Sequence, residues 1–323
     1  MGAPLTIANL AGLEKPLEKL LDVFAQGIGA IARPWLIKRD ARALAEARLI
    51  LDSGGLPAEA LDASVPLPDL LKGRIEYREA KRLENVRGVF EEARKVLPDA
   101  VSDERVDPDW TVRFFEYAQD VSRREMQELW GKLLAGEVSR PGSFGLRTIE
   151  VVRNLSMEEA VAFGNLARVV FHEGIEFYVP PQVTEMVFIV SNERKILSPK
   201  SMGLPSLYQA RGLGREMLAR LTEAGLVVFQ DDLVGSARAF SPPADTTGIA
   251  LRLPVGRRVL VIEGHPPDVQ LVFPAHPLTP AGSELLEISG GLADAEFDQI
   301  LVAELARLGF AARLEDRPLV SGV

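Results

Sequence analysis

Residues 125–160 read EMQELWGKLLAGEVSRPGSFGLRTIEVVRNLSMEEA, and this stretch decides the fold. Met126, Leu129, Trp130, Leu133 and Leu134 recur at the three-and-four spacing that gathers side chains on one side of an α-helix, while Glu125, Gln127, Glu128 and Lys132 fall on the other. Arg140-Pro141-Gly142-Ser143 stops that helix, because proline cannot donate the continuing amide bond and glycine relieves the turn. Ser143 is placed to cap a second helix with Leu146, Ile149, Val151 and Val152 inward, and Ser156 followed by Glu159 has the spacing of a capping box that opens a third. Three short helices therefore turn back on one another around Trp130.

Upstream, Asp107-Pro108-Asp109 ahead of Trp110 is a helix start: a cap, a proline at the first position and a negative charge near the positive end of the dipole. Trp110, Phe114, Tyr117 and Val121 carry the buried stripe toward residue 125, and residues 70–96 are rich in helix formers with a thin apolar edge at Ile75, Leu83, Val86, Val89 and Phe90. Residues 70–172 thus read as an α-helical core. After Phe171 short β-prone runs appear at 177–179, 187–190, 226–229, 249–253, 259–263 and 269–273, broken by Pro and Gly. A helix over 213–224, the strand that follows it and a hairpin of 259–263 with 269–273 give the order of a winged helix, closed by helices over 280–286 and 294–308. The expected class is mainly α, with an α+β, winged-helix-like domain over 173–323.

The opening residues 1–52 read as an amphipathic helical arm, joined to the core by a Gly- and Pro-rich linker over 53–69. Leu13, Leu17, Leu20, Leu21, Phe24, Ile28 and Ile31 form its apolar stripe, with Trp35 at the boundary, and Pro16 sets the helix start while Pro34 ends or kinks it. A second helix with a basic face is expected over 38–51. Residues 1–48 hold seven Lys or Arg against five acids, a balance of +2, so the remainder of the −9 chain carries −11.

The segments VDPDW, RFFEYAQDVS, EMQELWGKLLAGE, RPGSFGLRT and NLSMEEA between Val106 and Ala160, with LTPAGSELLEI at 278–288, resemble the bacterial family called domain of unknown function 2806. That resemblance implies an architecture and no catalytic residues. Residues 12–43, GLEKPLEKLLDVFAQGIGAIARPWLIKRDARA, are similar to the opening of abortive-infection proteins of the alpha type, which implies a setting in phage defence.

At 323 residues the chain is long enough for two domains. Its net charge of −9 argues against broad, nonspecific nucleic-acid binding, which is built from excess Lys and Arg. With no cysteine, disulfides, thiolate metal sites and cysteine nucleophiles are excluded, and a reducing cytoplasm is compatible. The longest apolar run, Gly27–Ile37, contains Arg33 and falls short of the roughly 20 residues a membrane span needs, and no secretory leader pattern opens the chain.

His172, His265 and His276 are scattered and read as solvated loop residues, so no metal centre, cofactor or histidine relay is expected. Arg211-Gly212-Leu213-Gly214-Arg215 precedes a helix, where loop flexibility explains the glycines better than phosphate binding. Acidic pairs such as Asp103 with Asp107, Glu125 with Glu128 and Asp231-Asp232 leave a hydrolase open without singling one out. Arg211, Arg215 and Arg220 around one helix, with Arg252, Arg257 and Arg258 at the ribbon, are the set a winged helix would offer to DNA, although Glu216 and Glu223 share the helix. The sequence therefore favours a non-enzymatic interaction or effector protein, cytoplasmic or peripheral at the inner membrane, whose arm meets another copy, another protein or lipid. The alternatives are a DNA-associated regulator and a hydrolase.

Overall fold

The computed structural model describes residues 15–36, 67–172, 176–178, 186–190, 193–197, 204–228, 237–240, 252–255, 258–263, 270–274, 276–289, 294–307 and 309–316. They divide between Arg153 and Asn154 into two compact units. The first is helical: α1 (Lys15–Leu36), α2 (Leu67–Val96), α3 (Pro108–Ala118), α4 (Arg124–Ser139) and α5 (Leu146–Asn154). The 38–51 helix and most of the 53–69 linker lie outside the described residues; the linker's last three residues already belong to α2.

Asp107 caps α3 as its sequence position asks: Oδ1 accepts from the N–H of Asp109 at 2.7 Å and of Trp110 at 3.0 Å, with Pro108 at the first helical position. The stripe it launches places Trp110 stacked on Phe114, with ring centroids 4.9 Å apart, and Phe114 tilted against Trp130 at 5.2 Å. Trp130 is 1% exposed, and Leu133, Leu134, Ile149 and Val152 are buried with it, so the centre lies where the sequence puts it. Helices α2 and α4 cross closely at Gly131, where a Cβ would stand 2.7 Å from the backbone nitrogen of Ala93.

Two details differ from the sequence reading. Ser143 does not cap α5; its hydroxyl donates to the carbonyl of Arg140 at 2.6 Å. The loop is held instead by the buried carboxylate of Glu137, which accepts from the N–H of Gly142 at 2.6 Å and of Phe144 at 3.0 Å, and the helix starts only at Leu146. Leu146 is consequently 45% exposed rather than inward, while Ile149 and Val152 fill the core.

The second unit contains α6 (Met157–Leu166), β1 (Phe171–His172), β2 (Glu176–Tyr178), β3 (Met186–Val190), β4 (Glu193–Leu197), α7 (Leu204–Ala210) and α8 (Arg215–Glu223). It continues through β5 (Ala237–Phe240), β6 (Arg252–Val255), β7 (Arg258–Glu263), β8 (Gln270–Pro274), β9 (His276–Pro277), α9 (Pro280–Ser289), α10 (Ala295–Arg307) and β10 (Ala311–Asp316). Residues 154–172, read from the sequence with the helical core, fall in this unit, where α6 packs on α8 and α9. The capping box at Ser156 forms in both directions: Ser156 Oγ accepts from the N–H of Glu159 at 3.2 Å, and Glu159 accepts from the N–H of Ser156 at 2.9 Å.

The described strands make a six-stranded sheet in the order β10-β7-β6-β1-β2-β9 and a four-stranded sheet in the order β4-β3-β8-β5. The hairpin expected between 259–263 and 269–273 is therefore not formed: β7 pairs with β6 and β10, whereas β8 pairs with β3 and β5. The reason is local. Only Gly256 and Arg257 separate Val255 from its partner Arg258, and a two-residue connection opening with glycine is the preferred hairpin closure. The chain is mainly helical in its first unit and mixed in its second.

Candidate functional site

Helices α7 and α8 are joined by Arg211-Gly212-Leu213-Gly214, a turn fastened by several backbone and side-chain hydrogen bonds. Gly212 takes φ of 71°, a left-handed conformation, so that its own N–H reaches the carbonyl of Gln209 at 3.0 Å and the N–H of Leu213 reaches Tyr208 at 2.7 Å. Leu213 is thereby turned inward, where Leu207, Tyr208, Leu218 and Leu221 are also buried. Gly225, with φ of 77°, ends α8 by the same pattern, the N–H of Leu226 reaching Leu221 at 2.9 Å. Gly212 of the RGLGR segment is thus explained by backbone geometry, whereas Gly214 is the N-cap of α8 at an ordinary φ of −61°.

Residues 226–228 then run beside β9 and its continuation: Val227 bridges Leu278, Val228 donates to Pro277 at 2.9 Å, and Thr279 donates to Leu226 at 3.1 Å. β9 also pairs with β2, through Phe177 with Pro277 and Tyr178 with His276. Thr279 caps α9, its Oγ1 accepting from the N–H of Gly282 at 3.0 Å, and Pro280 occupies the first position. A Cβ on Gly282 would collide with the carbonyl oxygen of Leu226. The LTPAG segment therefore encodes a strand end, a cap, a helix start and a close approach.

Arg211 is the electrostatic centre. Its guanidinium donates to both oxygens of Asp294, at 2.7 and 3.2 Å, and to Glu296 at 2.8 Å, while its carbonyl accepts from Asn165 at 2.9 Å. Asp294 in turn caps α10, accepting from the N–H of Glu296 at 3.1 Å and of Phe297 at 3.2 Å. Burial pushes the Asp294 carboxyl upward, but these hydrogen bonds outweigh it and hold the group below its ordinary range. Arg220 on α8 donates to Glu158 at 2.8 Å and lies 3.4 Å from Glu159. Glu159 is held low first by the N–H of Ser156, with Arg220 adding to the effect.

Of the arginines considered for nucleic acid, Arg211 and Arg220 are thus joined to acids of their own chain. Arg215 is exposed at the first position of α8, with Glu216 and Glu223 also exposed. Arg252 lies on β6 opposite Val261, Arg258 lies on β7 opposite Asp316, and Arg257 lies outside the described residues.

The stripe of the opening helix meets its own chain. Leu20 and Val23 are buried, the Phe24 ring lies 4.6 Å from Phe90 and 5.7 Å from Phe115, and Gly27 sits against the Phe115 ring, while Leu17, Leu21 and Ile28 are half-buried beside that seam. Ile31 and Trp35 fall in the last turns of α1, which passes Pro34 and stops at Leu36; Leu13 lies outside the described residues.

His276, expected in a solvated loop, is 1% exposed, because β9 runs between β2 and residues 226–228. His172 lies on β1, and His265 and Asp231-Asp232 fall outside the described residues. Asp103 pairs with Lys15 and Asp107 caps a helix. Among the described residues no group of three His, Asp or Glu is placed to hold a metal ion, and no helix is long and apolar enough to cross a membrane.

Sequence reasoning missed a cluster on the first unit. The Arg153 guanidinium lies over the Tyr117 ring at 4.3 Å, and Arg113 donates to the Tyr117 hydroxyl at 3.0 Å. The signal available was the i, i+4 pairing of Arg113 with Tyr117 on a helix already read correctly.

No curated protein and no solved structure matches the chain. The family model described as "Protein of unknown function (DUF2806)" matches residues 71–302, which takes in α3, α4, the α7–α8 turn and the LTPAG segment and begins after the opening 12–43. The chain belongs to the DUF2806 family.

Proposed function

We propose that this chain is a non-enzymatic interaction protein whose second unit is a winged helix that binds protein rather than reading DNA. The order helix α6, strand β2, helix α7, a four-residue glycine turn, helix α8, the segment 226–228, then the strand at 276–278 lying between 226–228 and β2 supports the module, with β1, β3 and β4 also falling between α6 and α7. The wing, on this reading, falls between 228 and 276, where the described strands β6 and β7 also pair with β1 and β10. The observation that carries the choice of partner is the pairing of Arg211 and Arg220 with Asp294, Glu296, Glu158 and Glu159. A helix entering a major groove needs cations directed at phosphate, and α8 offers exposed Arg215 alongside exposed Glu216 and Glu223.

Fluorescence anisotropy with a labelled 20-base-pair duplex at low salt tests this reading, which expects no saturable binding below about 10 µM protein. Salt-sensitive binding lost in Arg215→Ala would instead establish the DNA-associated regulator, which the same chain order supports.

The similarity of residues 12–43 to abortive-infection openings makes phage defence the setting of this proposal. A host expressing the chain should show reduced plaque formation. Membrane contact and self-association through α1 are the weaker readings, since Leu20, Val23 and Gly27 are enclosed by neighbouring helices.

A further inference from the structure

We infer that the outer face of α3 and α5 is a self-complementary surface through which two copies of this chain pair. It lies on the first unit and does not depend on the winged-helix reading. Helical spacing puts Val112 and Glu116 one turn apart on the outer side of α3, and Leu146, Glu150 and Arg153 together on that of α5. All five are exposed, and Val112 at 47% and Leu146 at 45% are among the large apolar residues most open to water. Arg113 ties the two helices, donating to the Tyr117 hydroxyl and lying 3.8 Å from Glu150.

The Arg153 guanidinium carbon lies 4.3 Å from the centre of the Tyr117 ring, and no carboxylate forms an ion pair with it among the described residues; Glu116 likewise forms no ion pair among them, although its charge acts on Arg113. A guanidinium seated over an aromatic ring has already lost much of its rotational freedom and keeps N–H groups for a partner carboxylate. One face therefore bears a cation seated on an aromatic ring, an acid without an ion pair and two exposed aliphatic side chains, with Tyr117 and the arginines among the residue types that anchor interfaces. A two-fold axis through this face sets Arg153 of each copy against the partner's Glu116, both contacts arising from one operation. Two short helices bury less than a standard interface, so the pair should be weak and reversible, with a Kd of about 10–100 µM.

Sedimentation equilibrium of the full chain from about 5 to 500 µM tests this, using wild type, Arg153→Glu, Glu116→Arg and an equimolar mixture of the two variants, with circular dichroism confirming that each folds. Wild type should dimerise, each variant alone should pair at least about tenfold more weakly, and the mixture should recover wild-type pairing because both cross-copy contacts are restored with charges exchanged. A monomeric wild type, variants that pair as wild type does, or a mixture that fails to recover would each overturn the inference.

Discussion

Arg211 and Asp294 are joined by a two-pronged ion pair, 2.7 and 3.2 Å, that fastens the turn between α7 and α8 to the first turn of α10. Asp294 is almost wholly enclosed while Arg211 is partly open, so losing the cation leaves a buried carboxylate with only the backbone N–H groups of Glu296 and Phe297. Arg211→Ala should cost about 2–3 kcal/mol, and Arg211→Lys should recover less than half of it because an ammonium cannot reproduce the fork. Urea denaturation of the three proteins measures this; equal midpoints for wild type and Arg211→Ala would show that the pair contributes nothing.

The same pair sets an acid limit. Asp294 and Glu159 are both held below their ordinary pKa in the folded chain, so their contribution is present above the unfolded value near about 4 and is lost as pH falls through the folded value. The melting temperature should change little from these two groups between pH 7 and 5 and drop below about pH 4. Asp294→Asn, less stable at neutral pH, should show a shallower acid decline; a decline as steep as that of wild type would contradict the assignment.

Two glycines are required for different reasons. Gly225→Ala places a side chain at φ of 77° and should cost about 1–2 kcal/mol, the ordinary penalty of the left-handed region. Gly282→Ala drives a methyl into the carbonyl of Leu226 and should cost more, since a paired strand has to shift. Thermal melts of the two variants order them, and a Gly282→Ala protein melting above Gly225→Ala would show that the α9 contact yields easily.

Tyr208 is 2% exposed, its hydroxyl has no partner among the described residues, and burial pushes its pKa well above the usual tyrosine value. Removing an unbonded buried hydroxyl relieves a desolvation cost, so Tyr208→Phe should leave stability unchanged or raise it by up to about 1 kcal/mol. Trp130→Ala, by contrast, should lose about 3–5 kcal/mol in the first unit. Chemical denaturation followed by far-ultraviolet circular dichroism compares the two, and a clearly destabilised Tyr208→Phe chain would mean the hydroxyl is bonded.

Most local signals were legible and long-range ones were not; Ser143 is a local exception, since Glu137 holds the loop in its place. Asp107 and Ser156 act within three or four residues of themselves, so their caps could be read directly, and the stripe through Trp110, Phe114 and Trp130 follows from helical period alone. Strand partnership is decided between distant segments, which is why the β7–β8 hairpin was misread and why Arg211 with Asp294 left no mark in spacing. β10, ARLED after Ala311, hides because charged residues occupy half of an alternating edge strand. His276 was misplaced for the same reason: its enclosure comes from neighbours on both sides that the sequence does not announce.

The segment from 229 to 275 leaves and rejoins the fold at adjacent rungs, Val227 beside Leu278, so its two ends are spliced together whatever lies between them. Between those ends β6 pairs with β1, β7 with β10 and β8 with β3, so the segment supplies interior strands to both sheets. Losing β7 would strip β10 of the strand it pairs with, so a change inside the segment is felt well beyond the junction that closes it.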